Sequence, residues 1–541
     1  MSIYKSPDVY TEEVSTAPPS VAQVSSAVPA FLGYTEKAAP GGKNAHNTAV
    51  RISTFLEFKE IFGGPESTRF SVNLDPNGTI AEINADAPQS TLYYALDFYF
   101  KNGGSACYVI SVGNYDDAYT KDAFLSGLHT LSKEDEPTLI GLGEATRLPE
   151  PDYYEVLQMA LAQCANLKDR FCILDVLPGD ERANGFRNGI GTNNLKYGAA
   201  YTPYLQTSLN HRYDDSSVTI SGLSSVETLG HATDLIRVTY AGPAADSPKF
   251  KINKGTAGTI AFSISAGVLT IANVGEGVTV TALLDAWDAF PEKGNFNLEA
   301  VSTGPGLVES LSVTNLAVTT VSTMTLAEAK NSKTALYSQV VAELAKERVV
   351  LAPSAGVAGA YCATDRDRGV WKSPANISLN AVIGPMEKIT SADQESLNLD
   401  PDSGKSINAI RSFFGKGTLI WGARTLAGND NEWRYVSVRR LFNMIEESTK
   451  KASYFAVFEP NDAATWLKVK AMIDSYLYGI WQQGALAGSV PEQAYFVNIG
   501  LGKTMTPQDI LEGRMIVEIG IAAVRPAEFI VLRFSHKLQE A

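Results

Sequence analysis

The segment STLYYALDFYFKNGGSACYVISV, residues 90–112, decides the fold class because it predicts a helix, a glycine turn and a buried strand in succession. Apolar side chains recur in its first half with the period of an amphipathic helix, at Leu92, Tyr93, Leu96 and Tyr99. Gly103 stands where a left-handed C-terminal cap belongs, and ACYVISV (106–112) is a continuous apolar strand. A strand that is apolar on both faces is typical of a sheet covered by helices.

The same succession recurs on both sides of this segment. YYEVLQMALAQCANL (153–167) predicts a helix, and DRFCILDVL (169–177) predicts the buried strand after it. TLAEAKNSKTALYSQVVAELAKE (325–347) predicts another helix, again followed by a strand, RVVLAP (348–353). Helices and buried strands that alternate in this way predict an α/β fold, with mixed sheets flanked by helices.

Residues 207–325 have a different character. Short β-runs are separated by Gly, Asn and Ser, as in TIAFSISAGVLTIANV (259–274) and GVTVTALL (277–284). Strands at this spacing, with turn residues between them, are typical of a small β-sandwich or barrel. We therefore predict an inserted all-β domain at 207–325, which interrupts one discontinuous α/β domain formed by 31–206 and 326–425.

Residues 426–541 predict a last α/β unit. NEWRYVSVRRLFNMIEESTKKA (431–452) ends in a helix, and SYFAVFEPN (453–461) predicts a strand followed by a turn. The chain finishes with a predicted strand at about 527–538 whose two faces are both apolar. Such a strand requires cover on both sides. It either completes a sheet of its own chain or is lent to a neighbouring subunit.

Residues 1–30 predict an extended arm. Their prolines break regular structure, while VYTEEV (9–14) and SVAQVSSAV (20–28) contain strand-forming residues that have no partner nearby in the sequence. The arm either packs on its own domain or pairs with the sheet edge of another subunit. The residues that we predict to take part in strand exchange between subunits are Val9, Tyr10, Val14, Phe529, Ile530, Val531, Leu532 and Phe534.

Composition and charge make several function classes improbable on physical grounds. The chain has 541 residues with 45 Lys+Arg against 59 Asp+Glu, a formal net charge of −14 that repels phosphate, so we expect no direct nucleic-acid partner. The four cysteines and five histidines are scattered, which predicts neither a disulfide framework nor a metal site. The apolar runs are far shorter than the ~20 residues that span a bilayer, so we expect no stable membrane insertion. Without a signal peptide, synthesis in a cytoplasm is expected.

The motifs predict no catalytic residue and no cofactor. GKS (404–406) and GKT (502–504) lack the first glycine of a phosphate-binding loop, since Leu399 and Val497 occupy that position. The sequence contains no GxSxG or HExxH motif. TDRDRG (364–369) predicts a salt-bridged turn, with an acid–base pair of its two aspartates as the alternative.

Several blocks of the sequence together carry a family resemblance. The blocks are YKSPDVYTEEV (4–14), FYFKNGGSACYVISV (98–112), APSAGVAGAYCATDRDRGVWKSPAN (352–376), WGARTL (421–426), WRYVSVRRL (433–441), VFEPN (457–461) and RPAEFIV (525–531). In this order they resemble contractile tail sheath proteins, and the resemblance covers about 1–206 and 330–541. Asp8 stands where that family usually has Gly, and Ser373 stands where Ala is commoner.

The resemblance implies a non-enzymatic structural subunit. Sheath subunits stack as hexameric rings around an inner tube in an extended, metastable state, and they contract to drive the tube through a target envelope. Terminal arms join the sheets of adjacent subunits. The implied partners are further copies of the chain, the inner tube protein, and baseplate and terminal cap proteins. Assembly is expected in a bacterial cytoplasm, as part of a virion tail or a released injection particle. A static tube or capsid-type protein and an enzyme remain the alternatives.

A basic group in the C-terminal unit predicts the contact with the inner tube. A polar contact suits this role because it can be broken and rehydrated during contraction. The alternative is pairing with Glu446 and Glu447 within the chain. The insertion at 207–325 is expected on the outside of the tube. The basic residues predicted to meet acidic residues of the tube are Arg439, Arg440, Lys450 and Lys451.

Overall fold

The chain divides into two compact units. The computed structural model describes residues 20–75, 78–86, 90–222, 228–232, 236–241, 246–255, 259–274, 278–300, 311–319 and 323–532. The core unit comprises Met1–Glu66, Pro88–His211 and Arg348–Ala541. The insert unit comprises Ser67–Ala87 and Arg212–Glu347.

The strands are numbered here in chain order. They are β1 Pro29–Thr35, β2 Ala49–Ile52, β3 Arg69–Leu74, β4 Ile80–Asp86, β5 Cys107–Asn114, β6 Leu139–Gly141, β7 Phe171–Asp175, β8 Gly198–Thr202, β9 Leu205–Asn210, β10 Val218–Ser221, β11 Thr228–Ala232, β12 Ile236–Tyr240, β13 Lys249–Lys254, β14 Ala261–Ser265, β15 Val268–Val274, β16 Phe296–Ala300, β17 Leu311–Asn315, β18 Ala317–Thr319, β19 Thr323–Thr325, β20 Arg348–Leu351, β21 Ile377–Ser378, β22 Val382–Pro385, β23 Ile407–Phe413, β24 Gly417–Ile420, β25 Tyr495–Ile499 and β26 Val517–Ile521.

The α-helices are numbered in the same way. They are α1 Phe55–Phe62, α2 Leu92–Lys101, α3 Lys121–Leu131, α4 Glu150–Leu167, α5 Asn184–Gly189, α6 Val280–Asp288, α7 Leu326–Ser332, α8 Thr334–Leu344, α9 Ser354–Arg368, α10 Ser391–Asn398, α11 Val436–Ala452, α12 Ala463–Gln482, α13 Pro491–Ala494 and α14 Pro507–Leu511.

A nine-stranded mixed sheet forms the centre of the core unit. Its strand order is β2-β5-β1-β6-β7-β8-β23-β24-β21, and the run from β5 to β23 is parallel. Successive side chains of its strands belong to different hydrophobic clusters, since Phe171 packs with Leu96 of α2, whereas Cys172 packs with Leu157 of α4. Both faces are therefore covered by helices. The predicted mixed α/β fold is confirmed.

The segment at 90–112 folds as predicted, with α2 followed by β5. Gly103 lies between them with φ +91°, in the left-handed region that favours glycine. A Cβ atom at this position would lie 2.8 Å from the Cβ of Ala363 on α9. Gly103 thus serves both the turn and the close packing of α2 against α9.

The insert unit is rich in β-structure but is not all-β. Its sheets have the orders β16-β12-β11-β18, β14-β15-β13-β17 and β19-β10-β3-β4. The strand predicted at 277–284 is wrong in its second half, because helix α6 begins at Val280. The Thr279 side chain caps this helix by accepting a hydrogen bond from the amide of Ala282, and Leu283 and Trp287 lie one turn apart on its buried face.

The C-terminal part of the core unit packs α11 and α12 against the antiparallel pair β25–β26. The strand predicted at 453–461 is wrong, because Ser453–Ala456 form a short 3-10 helix directly after α11. The Ser453 hydroxyl donates to the carbonyl of Thr449 at 2.7 Å and prolongs the helical turn. The turn predicted at 364–369 is also wrong, since α9 continues to Arg368.

Candidate assembly surface

The C-terminal segment, residues 525–532, has no regular secondary structure and leaves four consecutive apolar side chains uncovered. Phe529, Ile530, Val531 and Leu532 are 70%, 80%, 75% and 71% exposed. An exposed run of this kind marks an interaction site. The other residues predicted to exchange strands, Val9, Tyr10, Val14 and Phe534, lie outside the described residues.

An ion pair between a buried arginine and a carboxylate of the C-terminal segment holds this segment to the core unit just before the apolar run. Arg424 is fully enclosed, and its Nε lies 2.9 Å and 3.1 Å from the two carboxylate oxygens of Glu528. Its Nη2 donates to Glu528 at 2.5 Å, and the Tyr435 hydroxyl donates to the same carboxylate at 3.3 Å. Sequence reasoning assigned no role to Arg424 or Glu528. The available signal was that Glu528 is the single acidic residue of the strand predicted at about 527–538.

The N-terminal segment, residues 20–28, packs on its own chain. The amide of Val24 donates to the Ser448 hydroxyl of α11 at 3.1 Å. Val28 exchanges hydrogen bonds with Thr138, its amide donating at 2.8 Å and its carbonyl accepting at 2.9 Å. This part of the predicted arm is thus fixed at the junction of α11 and the start of β6.

A second buried arginine holds this N-terminal segment. Arg440 donates to the two carboxylate oxygens of Asp365 at 3.0 Å and 2.6 Å, and to the carbonyl of Ser26 at 2.8 Å. Its guanidinium also lies 4.7 Å from the centroid of the Tyr361 ring. Asp365 therefore acts as a structural counter-ion of Arg440.

The structure separates the four basic residues that were predicted to touch the inner tube. Arg439 is buried, stacks over Trp433 at 4.1 Å and donates to Glu446 at 2.8 Å. Arg440 is buried as described above. Both arginines therefore have structural roles within the chain. The pairing of Arg439 with Glu446 is the internal pairing that was given as the alternative.

Lys450 and Lys451 lie at the surface, at the end of α11. Lys450 Nζ lies 3.0 Å from Glu447, and this hydrogen bond raises the pKa of Lys450 above its ordinary value. Lys451 Nζ lies 2.6 Å from Asp135 and 3.4 Å from Glu447. Glu447 is itself buried, so the two lysines neutralise a carboxylate that has little access to water.

The β25–β26 pair is a two-stranded sheet, and just beyond β26 the residue Ala523 forms a single antiparallel bridge with Leu486. The antiparallel register of the pair runs from Tyr495 opposite Ile521 to Ile499 opposite Val517. Neither strand has a second strand partner within the described part of the chain. The inner face packs on α12, whereas Phe496 remains 49% exposed. An isolated pair of strands is marginally stable, and open edges accept further strands.

Two carboxylates are buried near the carboxyl ends of the central parallel strands. Glu144 accepts hydrogen bonds from the amide of Tyr34 at 2.9 Å and from the hydroxyl of Tyr119 at 3.0 Å. Asp175 accepts one from the amide of Ser354 at 2.8 Å. Burial raises the pKa of each carboxyl to about 7. One oxygen of each has no partner among the described residues.

The described residues contain no group of three or more His, Cys, Asp or Glu side chains arranged to hold a metal ion. None of the described helices is both long and apolar enough to cross a membrane. The four cysteines are free and buried. Among the described residues, the C-terminal segment leaves four consecutive apolar side chains uncovered, and neither strand of the β25–β26 pair has a second strand partner.

Comparisons with known proteins point to the same part of the chain. The family model described as the phage tail sheath C-terminal domain matches residues 428–537. The tail sheath protein of Vibrio phage KVP40 is 26% identical over 184 residues, which is 34% of this chain. The matched region is 26% of that relative's own length.

Solved structures match over nearly the whole chain. The helical sheath of the anti-feeding prophage in its contracted state is 26% identical, with a TM-score of 0.58, and the match covers 99% of this chain and 100% of that chain. The sixfold-symmetrised baseplate of the same prophage contains a chain that is 26% identical, with a TM-score of 0.56 and the same coverage. The predicted resemblance to contractile tail sheath proteins is confirmed.

Proposed function

We propose that this chain, whose residues 428–537 match the phage tail sheath C-terminal domain, is a non-catalytic structural subunit of a contractile sheath. The observation that carries the proposal is the pairing of two incomplete features in one chain. The C-terminal segment exposes a strand-forming apolar run, and the β25–β26 sheet has open edges. Each feature can complete the other when they come from different copies.

Strand exchange is the proposed linkage. Phe529, Ile530, Val531 and Leu532 of one copy, extended by Phe534, add a strand to the C-terminal sheet of a neighbour, and the arm that contains Val9, Tyr10 and Val14 adds another. Backbone hydrogen bonds between strands supply the affinity, and alternating side chains supply the register. Such a linkage holds while the compact units rotate as rigid bodies.

Contraction follows from this linkage. The copies stack as hexameric rings around an inner tube, in an extended state that baseplate and cap proteins hold at its ends. Relaxation to a wider lattice buries more surface between copies. At about 25 cal/mol per Å², a few hundred Å² per subunit supplies several kcal/mol, and a long sheath multiplies this. A bacterial cytoplasm is the proposed place of assembly.

The proposed contact with the inner tube is restricted to Lys450 and Lys451. Both are at the surface, unlike Arg439 and Arg440. Exposed ion pairs are weak and exchange readily with water, which suits a contact that must be released when the sheath contracts. An acidic patch on the tube would compete with Glu447 and Asp135 for these two ammonium groups.

The insert unit is proposed to decorate the outside of the sheath. It enters and leaves the core unit at two places, near residues 66 and 88 and near residues 211 and 348. A chain in which short linkers bridge both places should still form helical assemblies. Loss of all assembly would mean that the insert is part of the lattice.

The test of the proposed function is assembly of the purified full chain, observed by electron microscopy and sedimentation. Striated tubes in two lattice geometries support the proposal, and a single geometry supports a static tube instead. A chain that lacks residues 529–541 retains Glu528 and should fold but not polymerise.

A matched pair of substitutions at Val531 sharpens this test. Val531→Pro removes a backbone donor and disfavours a strand, whereas Val531→Thr preserves strand formation. Because Val531 is exposed in the isolated chain, both variants should melt like the unaltered chain. Only the proline variant should fail to polymerise. Equal polymerisation of both would contradict strand exchange at this position.

A further inference from the structure

The buried Arg424 side chain and the C-terminal segment meet at one carboxylate, that of Glu528. We propose that Arg424 is the anchor that positions the C-terminal segment for exchange between subunits. The inference rests on the proposed function and deepens it, because it names the residues that set where the exchanged strand leaves the core unit. Arg424 acts through Glu528 and is therefore a positioning residue.

The surroundings of Arg424 are built to receive a carboxylate. The Arg424 amide and carbonyl are both bonded to the Asn408 side chain at 2.8 Å, which fixes the backbone. Nη1 donates to the carbonyl of Asn398 at 3.2 Å. Nε and Nη2 are left facing Glu528, and a planar guanidinium binds a carboxylate best through two parallel hydrogen bonds.

Arg424 needs this partner because it has no other counter-ion among the described ion pairs. A charged side chain that is removed from water requires a partner of opposite charge. Glu528 supplies that charge from a segment that is otherwise uncovered. The ion pair therefore gives the segment one defined point of charge-assisted attachment.

The groove around this ion pair supports the same conclusion. It has a volume of about 620 Å³ and is lined on one side by Gln394, Trp421 and Tyr435 and on the other by Pro526 and Phe529 of the segment. Phe529 and Ile530 line the rim of this groove but remain 70% and 80% exposed, and Val531 and Leu532 follow them with 75% and 71% exposure. The anchor thus lies one residue before the apolar run that is proposed to cross to a neighbour.

Fixing the C-terminal segment at Glu528 favours assembly, because it restricts the conformations of the segment before the segment meets its partner. A chain segment loses conformational entropy when it joins a sheet, and part of that loss is incurred in advance if its first residue is already fixed. Releasing Glu528 should weaken assembly, and it should also lower the melting temperature, because the buried Arg424 loses its only counter-ion among the described ion pairs.

Glu528→Gln in the full chain tests the anchor, with Glu395→Gln as the matched control. Glu395 lines the same groove and is exposed, but no hydrogen bond or ion pair joins it to Arg424. All four native cysteines are buried, so a Leu532→Cys chain takes a spin label at one exposed position. The measurements are label mobility by electron paramagnetic resonance, melting temperature, and the protein concentration at half-assembly.

We expect Glu528→Gln to make the label more mobile and to raise the half-assembly concentration about tenfold, the factor expected from losing one charge-assisted hydrogen bond. Its melting temperature should fall below that of Glu395→Gln, because the buried Arg424 loses its counter-ion. Wild-type mobility, or assembly at the wild-type concentration, would overturn the anchor. If Glu528→Gln does not fold, the double variant Arg424→Met, Glu528→Gln replaces it, because it removes the ion pair without leaving an unpaired charge, and unchanged label mobility in that variant also overturns the anchor.

The experiment separates this inference from the proposed function. If the unaltered chain forms no tubes under any condition, the proposed function fails, and label mobility alone then decides whether Arg424 anchors the segment. If the unaltered chain forms tubes and Glu528→Gln forms them equally well, only the anchor fails.

Discussion

Strands β7 and β25 have the same length, five residues each, but very different surroundings. Strand β7 has a parallel neighbour on each side and is buried at every position. Among the described residues, strand β25 has a single neighbour, β26, and it is buried only at Val497 and Ile499. Every strand of the central sheet from β5 to β24 has two neighbours, whereas neither strand of the C-terminal pair has a second neighbour in the described part of the chain.

This difference separates stability from assembly. Around the central sheet, buried groups depend on partners in the same chain, so substitutions there should change the free energy of unfolding. Around β25–β26, the missing partners are proposed to come from other copies, so substitutions there should chiefly change assembly. Each prediction tests whether a substitution chiefly changes the free energy of unfolding or chiefly changes assembly.

The largest effect is expected at Asp365, on the α9 helix that packs on the central sheet. Asp365→Asn keeps the size of the side chain but leaves the buried Arg440 without its counter-ion. Breaking a buried pair in this way costs about 3–5 kcal/mol. Urea unfolding followed by circular dichroism measures the loss. Asp97→Asn is the control, because Asp97 pairs with Lys101 on an exposed helix face, where loss of the pair should cost less than about 1 kcal/mol. Equal losses of unfolding free energy in the two variants would mean that Asp365 does not stabilise the region around the central sheet.

A pH dependence is expected from Glu144, which is buried against the same sheet. Its pKa is about 7 in the folded chain and 4.5 as the ordinary value, so the folded chain retains a proton that the unfolded chain loses between these two pH values. Stability from this group is therefore fully present below about pH 4.5, falls as the pH rises to about 7 and is then constant. The difference corresponds to about 3 kcal/mol.

Glu144→Gln should remove this contribution, because an amide does not titrate. We expect the unaltered chain to lose about 3 kcal/mol more than the variant between pH 4.5 and pH 8, measured by urea unfolding at both pH values. Asp175 contributes its own slope equally to both proteins and so cancels. An identical loss in the two proteins would show that Glu144 ionises without cost in the folded chain.

On the open side, Phe496 should affect assembly more than stability. It lies opposite Gly520 in the β25–β26 register, and its ring occupies the space that a Cβ of Gly520 would fill. Phe496→Ala removes one cross-strand contact and should cost at most about 1 kcal/mol in the isolated chain. Polymerisation should fall much more, because the exposed ring is proposed to pack on an incoming strand. Phe496→Leu is the control. A large loss of stability in Phe496→Ala with normal assembly would contradict the proposal that the β25–β26 pair serves assembly rather than stability.

The sequence predicts the complete region better than the open one. Helix and strand periodicities are local, so α2, β5, α4 and β7 follow from their own residues. Helix α6 does not, because Val278, Thr279 and Val280 favour a strand while Thr279 in fact caps the helix. Charge is visible in a sequence but burial is not, which is why Arg439 and Arg440 were predicted as a surface group.

The two arginine anchors could not be predicted from spacing. Arg424 and Glu528 are 104 positions apart, and Arg440 and Asp365 are 75 apart, so only the folded chain brings them together. The open edges of β25–β26 are equally invisible, because an edge strand and a central strand can have the same composition. For the C-terminal run, the sequence predicts a strand at about 527–538 that either completes a sheet of its own chain or is lent to a neighbour, whereas its described part, up to residue 532, has no regular secondary structure.

The smallest effect on stability is expected at Lys450. Reversing the charges of both Lys450 and Lys451 would also deprive the buried Glu447 of its neutralising partners, so a loss of assembly could reflect damage to α11. Lys450→Gln avoids this, because Lys451 still lies 3.4 Å from Glu447. The Lys450 side chain is 56% exposed, and an ion pair of this kind contributes less than about 1 kcal/mol.

We therefore expect Lys450→Gln to have a near-normal melting temperature and to polymerise normally in the absence of the inner tube protein. Its co-assembly with the inner tube protein should be weaker, most clearly at low salt, where charge attraction is least screened. Lys346→Gln is the control, because it removes the same charge from an exposed i,i+3 pair of the insert unit, which is proposed to lie away from the inner tube. If Lys450→Gln co-assembles normally at every salt concentration, Lys450 does not contact the inner tube, and its role is the neutralisation of Glu447 alone.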